Sequence, residues 1–373
     1  MSPRTSAWQP APTGALASVG ADPQGWARRL GISREAVDIY NQAEVVDLHI
    51  ESFVWTRVFG YDLADRHGEG ALRGRFYSQV DLPRAREAGL AGAVFSIATN
   101  PFRRGRRRTT VLLDNLARLR ASLERQPGVA VVADLAGYRR ARAGGRLAAF
   151  VAVQGGNAFG GGAADLGEVP GDVVSRITLV HLSRSYLGAA SAPGSGSKGG
   201  LTAEGRTFVQ AMNERRILVD LAHASRRTFW DALAVHDGAL PAIVSHTGVD
   251  GAHRSWRNVD DAQIRAIAEG GGSVGIMYHT SFLGEPFWSG RAAAVVRHLQ
   301  HAIAAGGEDA VGLGSDWDGL IVPPRDLRTV HHLPVLVQRM LDAGFSPERI
   351  IKVLGANYLA VMGRIRPGVT PGS

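Results

Sequence analysis

The sequence of 373 residues contains no cysteine, which excludes disulfides, cysteine-ligated metal and thiol catalysis. Lysine is almost missing as well. Lys198 and Lys352 are the two present, and every other basic side chain is an arginine. No stretch approaches the roughly 18 consecutive apolar residues of a membrane span. The opening residues, MSPRTSAWQPAPTGALASVG, lack the continuous apolar core of a secretory signal. A cytoplasmic protein with a loose N-terminal tail is therefore expected.

What is present is globular. Apolar residues make up 45% and charged residues 20% of the chain, the balance of a folded protein with a substantial core. The net charge of +8 and the run FRRGRRR at 102–108 raise nucleic-acid binding. The near-total replacement of lysine by arginine, with abundant alanine and glycine, argues for a composition bias instead. The run reads as a solvated face, and no nucleic-acid partner is expected.

Residues 1–25 are rich in Pro, Ala, Gly and Ser and read as irregular, followed by a helix near 33–43. Eight strand-like runs come next, at 44–49, 89–98, 147–156, 175–182, 217–225, 241–248, 271–278 and 309–318. They are apolar on both faces, as strands buried in a parallel sheet are. Helical segments such as 200–216 and 258–271 separate them. The expected fold is therefore α/β, a (β/α)8 TIM-type barrel in a single domain. It would span 33–365, after an N-terminal extension over 1–32 and before a short tail over 366–373. An open doubly wound sheet is the alternative, but no GxGxxG follows the first strand. The Gly/Ser/Pro-rich stretch 184–200 reads as a mobile loop over one end of the barrel, in contact with substrate.

Active sites of such barrels lie at the C-terminal ends of the strands. Those ends carry His49 and Glu51, Gln154, His181, His223, His246, and Asp316 with Asp318. One such histidine alone would be structural. Several imidazoles and carboxylates converging on one mouth suit metal-assisted hydrolysis. Imidazole nitrogen and carboxylate oxygen hold a zinc-like ion that acidifies water and polarises a carbonyl. Asp316 would carry the proton to the leaving amine. His49 and Glu51 are two apart on a strand and so share a face.

The motifs DLHIE (47–51), ITLVH (177–181), LVDLAHAS (218–225), PAIVSHTG (241–248), WRNVDD (256–261), VGLGSDWDG (311–319) and IIKVLGANYL (350–359) run in the order of a known family. Over residues 35–365 the chain resembles the renal, or membrane, dipeptidases of peptidase family M19. The resemblance implies a two-zinc peptidase acting on dipeptides, often with a D-residue at the C-terminal position. By the same resemblance, His49 and the acid two residues on hold one ion, and His223 and His246 the other. Asp316 is then the proton shuttle, His181 touches the scissile carbonyl region, and Arg257 binds the substrate carboxylate. An arginine suits that last task because its planar fork matches a carboxylate.

Two positions depart from the family pattern. Glu51 stands where Asp is usual, one methylene longer. Gln154 stands where a glutamate bridges the two ions, and an amide offers one acceptor oxygen, an NH₂ group and no charge. Two cations about 3.5–4 Å apart would lose the negative charge between them. One zinc ion is expected rather than two, or none. His223, His246 and Asp316 are the favoured ligands, with His49, Glu51 and Asp316 the other set. The expected function is hydrolysis of a dipeptide or an amino-acid-derived amide bearing a free carboxylate. The alternative is a non-hydrolytic step, an elimination, isomerisation or tailoring reaction, on such a metabolite with little or no metal. The expected partners are the small substrate and at most a second copy of the chain in a homodimer, with no membrane.

Overall fold

The protein is described from a computed structural model covering residues 16–368, except 71, 99–104, 106 and 184. Most of the basic run 102–108 and the outer parts of both termini thus lie outside the described residues. Nine strands are present: β1 (Val46–Ile50), β2 (Gly92–Ala98), β3 (Val129–Val131), β4 (Leu147–Gln154), β5 (Val174–Thr178), β6 (Leu218–Asp220), β7 (Ala242–Thr247), β8 (Val274–Ile276) and β9 (Val311–Leu313). All pair in parallel.

Eight of the nine close a barrel. From β1 the ladder runs through β9, β8, β7, β6, β5 and β4, and β4 returns to β2, which pairs with β1. The closing β2–β4 ladder is the longest, from Gly92↔Ala148 to Ala98↔Gln154. Closure rules out the open sheet. The eight apolar runs read from the sequence each supply one barrel strand. The ninth, β3, was not expected. It is three residues long, below the length at which a buried strand is legible, and it adds to the start of β4 at Val129↔Leu147.

Helices surround the barrel and bury their apolar stripes on it. The helix Pro23–Leu30 starts inside the segment expected to be irregular. The Asp22 carboxylate accepts from the Gly25 amide at 2.8 Å, a proline opens the first turn, and Trp26 is fully buried. Such a cap contributes about 1 kcal/mol. Among the described residues no helix is long and apolar enough to cross a membrane.

The loop after β5 is anchored rather than loose. It bridges Gly188↔Leu201 and Ala190↔Ala224. The Ser225 hydroxyl donates to the Gly199 carbonyl (2.6 Å), and the Ser191 amide to the His223 carbonyl (2.7 Å). Composition gave its irregularity; these cross-links to the β6 end could not be read from it.

Candidate metal centre and active site

The strand ends deliver the expected side chains to one mouth. His49 lies near the end of β1 with Glu51 just beyond it, Gln154 ends β4, and His246 is in β7. His181, His223 and Asp316 follow β5, β6 and β9 by three residues each. His223, Asp316 and Asp318 have φ of 64°, 60° and 66°, in the left-handed region that non-glycine residues rarely enter. Three such residues in two short turns mark a mouth whose backbone is bent to aim side chains.

Three groups with metal-ligating atoms converge. Ligand atoms of His49, His246 and Asp316 all lie within 4.8 Å of one another. This group draws members from each of the two ligand sets expected from the sequence. The reason is strand adjacency. β9 neighbours β1, and the Asp316 amide donates to the His49 carbonyl at 3.1 Å. Asp316 therefore leans toward His49, with Oδ1 3.8 Å from His49 Nε2. His223 follows β6, the strand next to the β7 that carries His246. It meets the cluster through His246, their Nε2 atoms 2.9 Å apart. Gln154 reaches both rings, its Nε2 3.0 Å from His223 Nε2 and 3.3 Å from His246 Nε2.

The partners behind each ring decide which nitrogen can face a cation. The Ser245 hydroxyl donates to Asp220 Oδ2 at 2.6 Å, so its oxygen accepts from His246 Nδ1 at 2.8 Å. That leaves a lone pair on His246 Nε2, the state a metal ligand needs. At His49 the backing is reversed. Arg176 Nη2 stands 2.9 Å from His49 Nδ1, and a guanidinium can only donate. His49 Nδ1 therefore accepts, and Nε2 carries the ring proton. It points toward Glu51 Oε1, 3.3 Å away. The same Arg176 pairs with Asp220, which also accepts from Thr178 and from the amides of Ser245 and Ala222. Arg176 and Asp220 are fully buried. Burial opposes charge on Asp220, but Arg176 and the two hydroxyls hold its carboxyl below the usual range.

Other groups follow the same logic. Burial holds the rings of His49, His223 and His246 neutral, their pKa values well below the ordinary imidazole range. His181 sits edge-on to His223, centroids 4.7 Å apart. Its pKa is lowered to about 4 by burial, against the pull of Glu51. The Asp316 carboxyl is raised well above its usual range by burial, with Arg257 opposing and Glu51 and Asp47 adding. A carboxyl so placed can hold a proton near neutrality.

Arg257 turns inward. Its Nη2 donates to the His246 carbonyl at 2.7 Å and faces His223 Nε2 at 3.2 Å. The position is fixed from both sides. Val249 bridges Val259, and Asp260 with Gln263 forms a capping box on the helix Asp261–Glu269. Beside it opens a cleft of about 460 Å³, lined in part by His223, Arg257 and Ser191. Ser191 brings the loop 184–200 to the site. Asp318 lies elsewhere. It is buried against Ser52 and accepts from the Gln79 amide at 2.8 Å, so its task is to hold the turn after β9.

The donor set fits a divalent cation at its His246 end. His246 Nε2 keeps a lone pair, and His223 Nε2 lies 2.9 Å from it, with the Arg257 guanidinium 3.2 Å from the His223 nitrogen. His223 and His246, with Asp316 close to His246, supply the donor types that zinc accepts, two nitrogens and one carboxylate. The His49 end fits less well, because its nitrogen presents a proton.

A family profile described as Membrane dipeptidase (Peptidase family M19) matches residues 33–367. The chain belongs to this family. It is a dipeptidase-family metal hydrolase. It is 27% identical over 352 residues to dipeptidase aclJ of Aspergillus oryzae, covering 90% of this chain and 82% of that one. Among solved structures it resembles dipeptidase AC, a metallopeptidase of family M19, at 26% identity and a TM-score of 0.76, covering 87% of this chain and 99% of that one. A metallopeptidase of Rhodobacter sphaeroides liganded with a phosphinate mimic of L-Ala-D-Ala is 25% identical, with a TM-score of 0.75 and the same coverage.

The sequence reading missed Arg176, Asp220 and Ser245. The available signal was an arginine inside SRITLVHL, a run expected to be buried on both faces, where an unpaired charge is not tolerated.

Proposed function

We propose that this M19 hydrolase cleaves a dipeptide, or an amide of similar size with a free carboxylate, using one zinc ion per chain. His246 would anchor the ion, with His223 and Asp316 as its companions. When bound, the ion lowers the pKa of a water and polarises the scissile carbonyl. Arg257 would take the substrate carboxylate in a bidentate pair. His181, held neutral at the rim, would donate to the carbonyl region from its N–H. Asp316 would take a proton from the attacking water and pass it to the leaving nitrogen. The relative that takes an L-Ala-D-Ala mimic supports testing a D-residue at the C-terminal position.

The observation that carries this reading is the unequal backing of the two buried rings, Ser245 behind His246 and Arg176 behind His49. Gln154 adds to it, because a neutral amide leaves no negative charge between two cations. The test is metal content in protein purified without added zinc, followed by a dipeptide panel with L- and D-residues at the second position. About one ion per chain with measurable cleavage is expected. Two tightly held ions with fast cleavage would overturn the single-ion assignment. No metal and no cleavage would overturn hydrolysis itself and leave the non-hydrolytic alternative.

A further inference from the structure

We infer that the cleft beside Arg257 holds a second anion position, built on Arg254 and Ser191, that selects substrates whose carboxylate-bearing residue also has an acidic side chain. The inference rests on the dipeptidase reading, because it takes Arg257 as the seat of the main-chain carboxylate.

The argument is one of charge. Arg226, Arg254 and Arg257 line the cleft together with a single acid, Asp250. Asp250 is engaged: it pairs with Arg226 at 2.8 Å and accepts from the Ser255 amide at 3.2 Å. Arg226 is paired a second time, with Asp260. Arg254 has no acidic partner among the described residues. Two cations therefore face the cleft with no ion pair of their own among the described residues, Arg257 in its buried wall, where Asp316 and Asp220 act on it from a distance, and Arg254 at its exposed rim. A ligand with one carboxylate answers one of them, and a dicarboxylate answers both.

A second observation points the same way. The Ser191 hydroxyl is buried, lines the cleft and has no hydrogen-bond partner. A buried hydroxyl left unpaired carries a desolvation cost. A ligand oxygen beside it would remove that cost. Its backbone is pinned by the bond from its amide to the His223 carbonyl, so the hydroxyl is held within the cleft.

The segment bearing Arg254 is also ordered in advance. Asn258 Nδ2 donates to the His253 carbonyl at 2.7 Å and to the Phe282 carbonyl at 2.9 Å. The His253 amide donates to the Val249 carbonyl at 3.0 Å. Little backbone freedom is lost when an anion binds there, which favours selectivity. The ligand class is thus an α-carboxylate with a second carboxylate on the same residue, as in aspartate or glutamate.

The test compares Ala-Asp with Ala-Asn, each with an L- or D-residue in second position, by kcat/KM on the holoenzyme. In parallel, aspartate and asparagine are titrated calorimetrically into the same holoenzyme, a readout that needs no turnover. Asp is expected to exceed Asn by about 10- to 100-fold, the worth of a charge-assisted hydrogen bond. Arg254→Met should collapse the Asp/Asn ratio toward one, and Arg254→Lys should restore part of it. Equal handling of Asp and Asn by the native protein, or full preference in Arg254→Met, would overturn the inference. Preference in the titration without cleavage of any dipeptide would leave this position standing and remove the hydrolase reading. Cleavage without preference would do the reverse.

Discussion

His49 and His246 are two rings of one kind in one place, with opposite wiring. Both are fully buried, and they stack at 3.8 Å with planes 24° apart. Behind His246 stand a hydroxyl that accepts and a carboxylate that orients it. Behind His49 stands a guanidinium that can only donate. The contrast teaches that a histidine's position at a barrel mouth does not decide what it can bind. The group on its far nitrogen does, because that group sets which nitrogen keeps the proton.

The largest test of the contrast is to delete each ring in turn. His246→Ala should release the ion and lower dipeptide hydrolysis by about 10³-fold or more, since metal polarisation supplies several kcal/mol. His49→Ala should keep its ion, by elemental analysis of the purified protein. Loss of the ion from both variants would abolish the distinction.

Next in size is Arg176→Met. It strands Asp220 in the barrel without its counter-charge, which should cost about 3–5 kcal/mol of stability in urea unfolding. An unchanged midpoint would mean that Asp220 is satisfied by Ser245 and Thr178 alone. Ser245→Ala should weaken zinc binding by about 10- to 100-fold, the usual effect of removing a hydrogen-bond partner behind a ligand, read by competition with a chromogenic chelator. The smallest and sharpest change is Gln154→Glu, which should raise zinc from about one to about two ions per chain. Constant stoichiometry in that variant would show that the protonated nitrogen of His49, and not the missing charge at 154, excludes the second ion.

Much of this was legible in the chain. Alternating apolar runs and helices gave the barrel, and the convention that barrels work at their C-terminal ends gave the mouth residues. Their mutual geometry was not legible. That Asp316 leans on His49 follows from β9 lying beside β1, which closure sets and no local pattern announces. The left-handed turns at His223 and Asp316 were hidden because neither residue is glycine. Arg176 was passed over because its run was read for its apolar residues alone, whereas the arginine is fully buried and pairs with Asp220.

Gly275 and Gly314 have a bearing on all of these variants. A methyl group on either would fall 2.1 or 1.8 Å from the Ser245 carbonyl oxygen, so β7, β8 and the chain leaving β9 are nested closer than any side chain would permit. Alanine at either site would drive that carbonyl aside and carry the neighbouring imidazole with it. Changes that add only a methyl group and no chemistry would then be read out as altered zinc affinity.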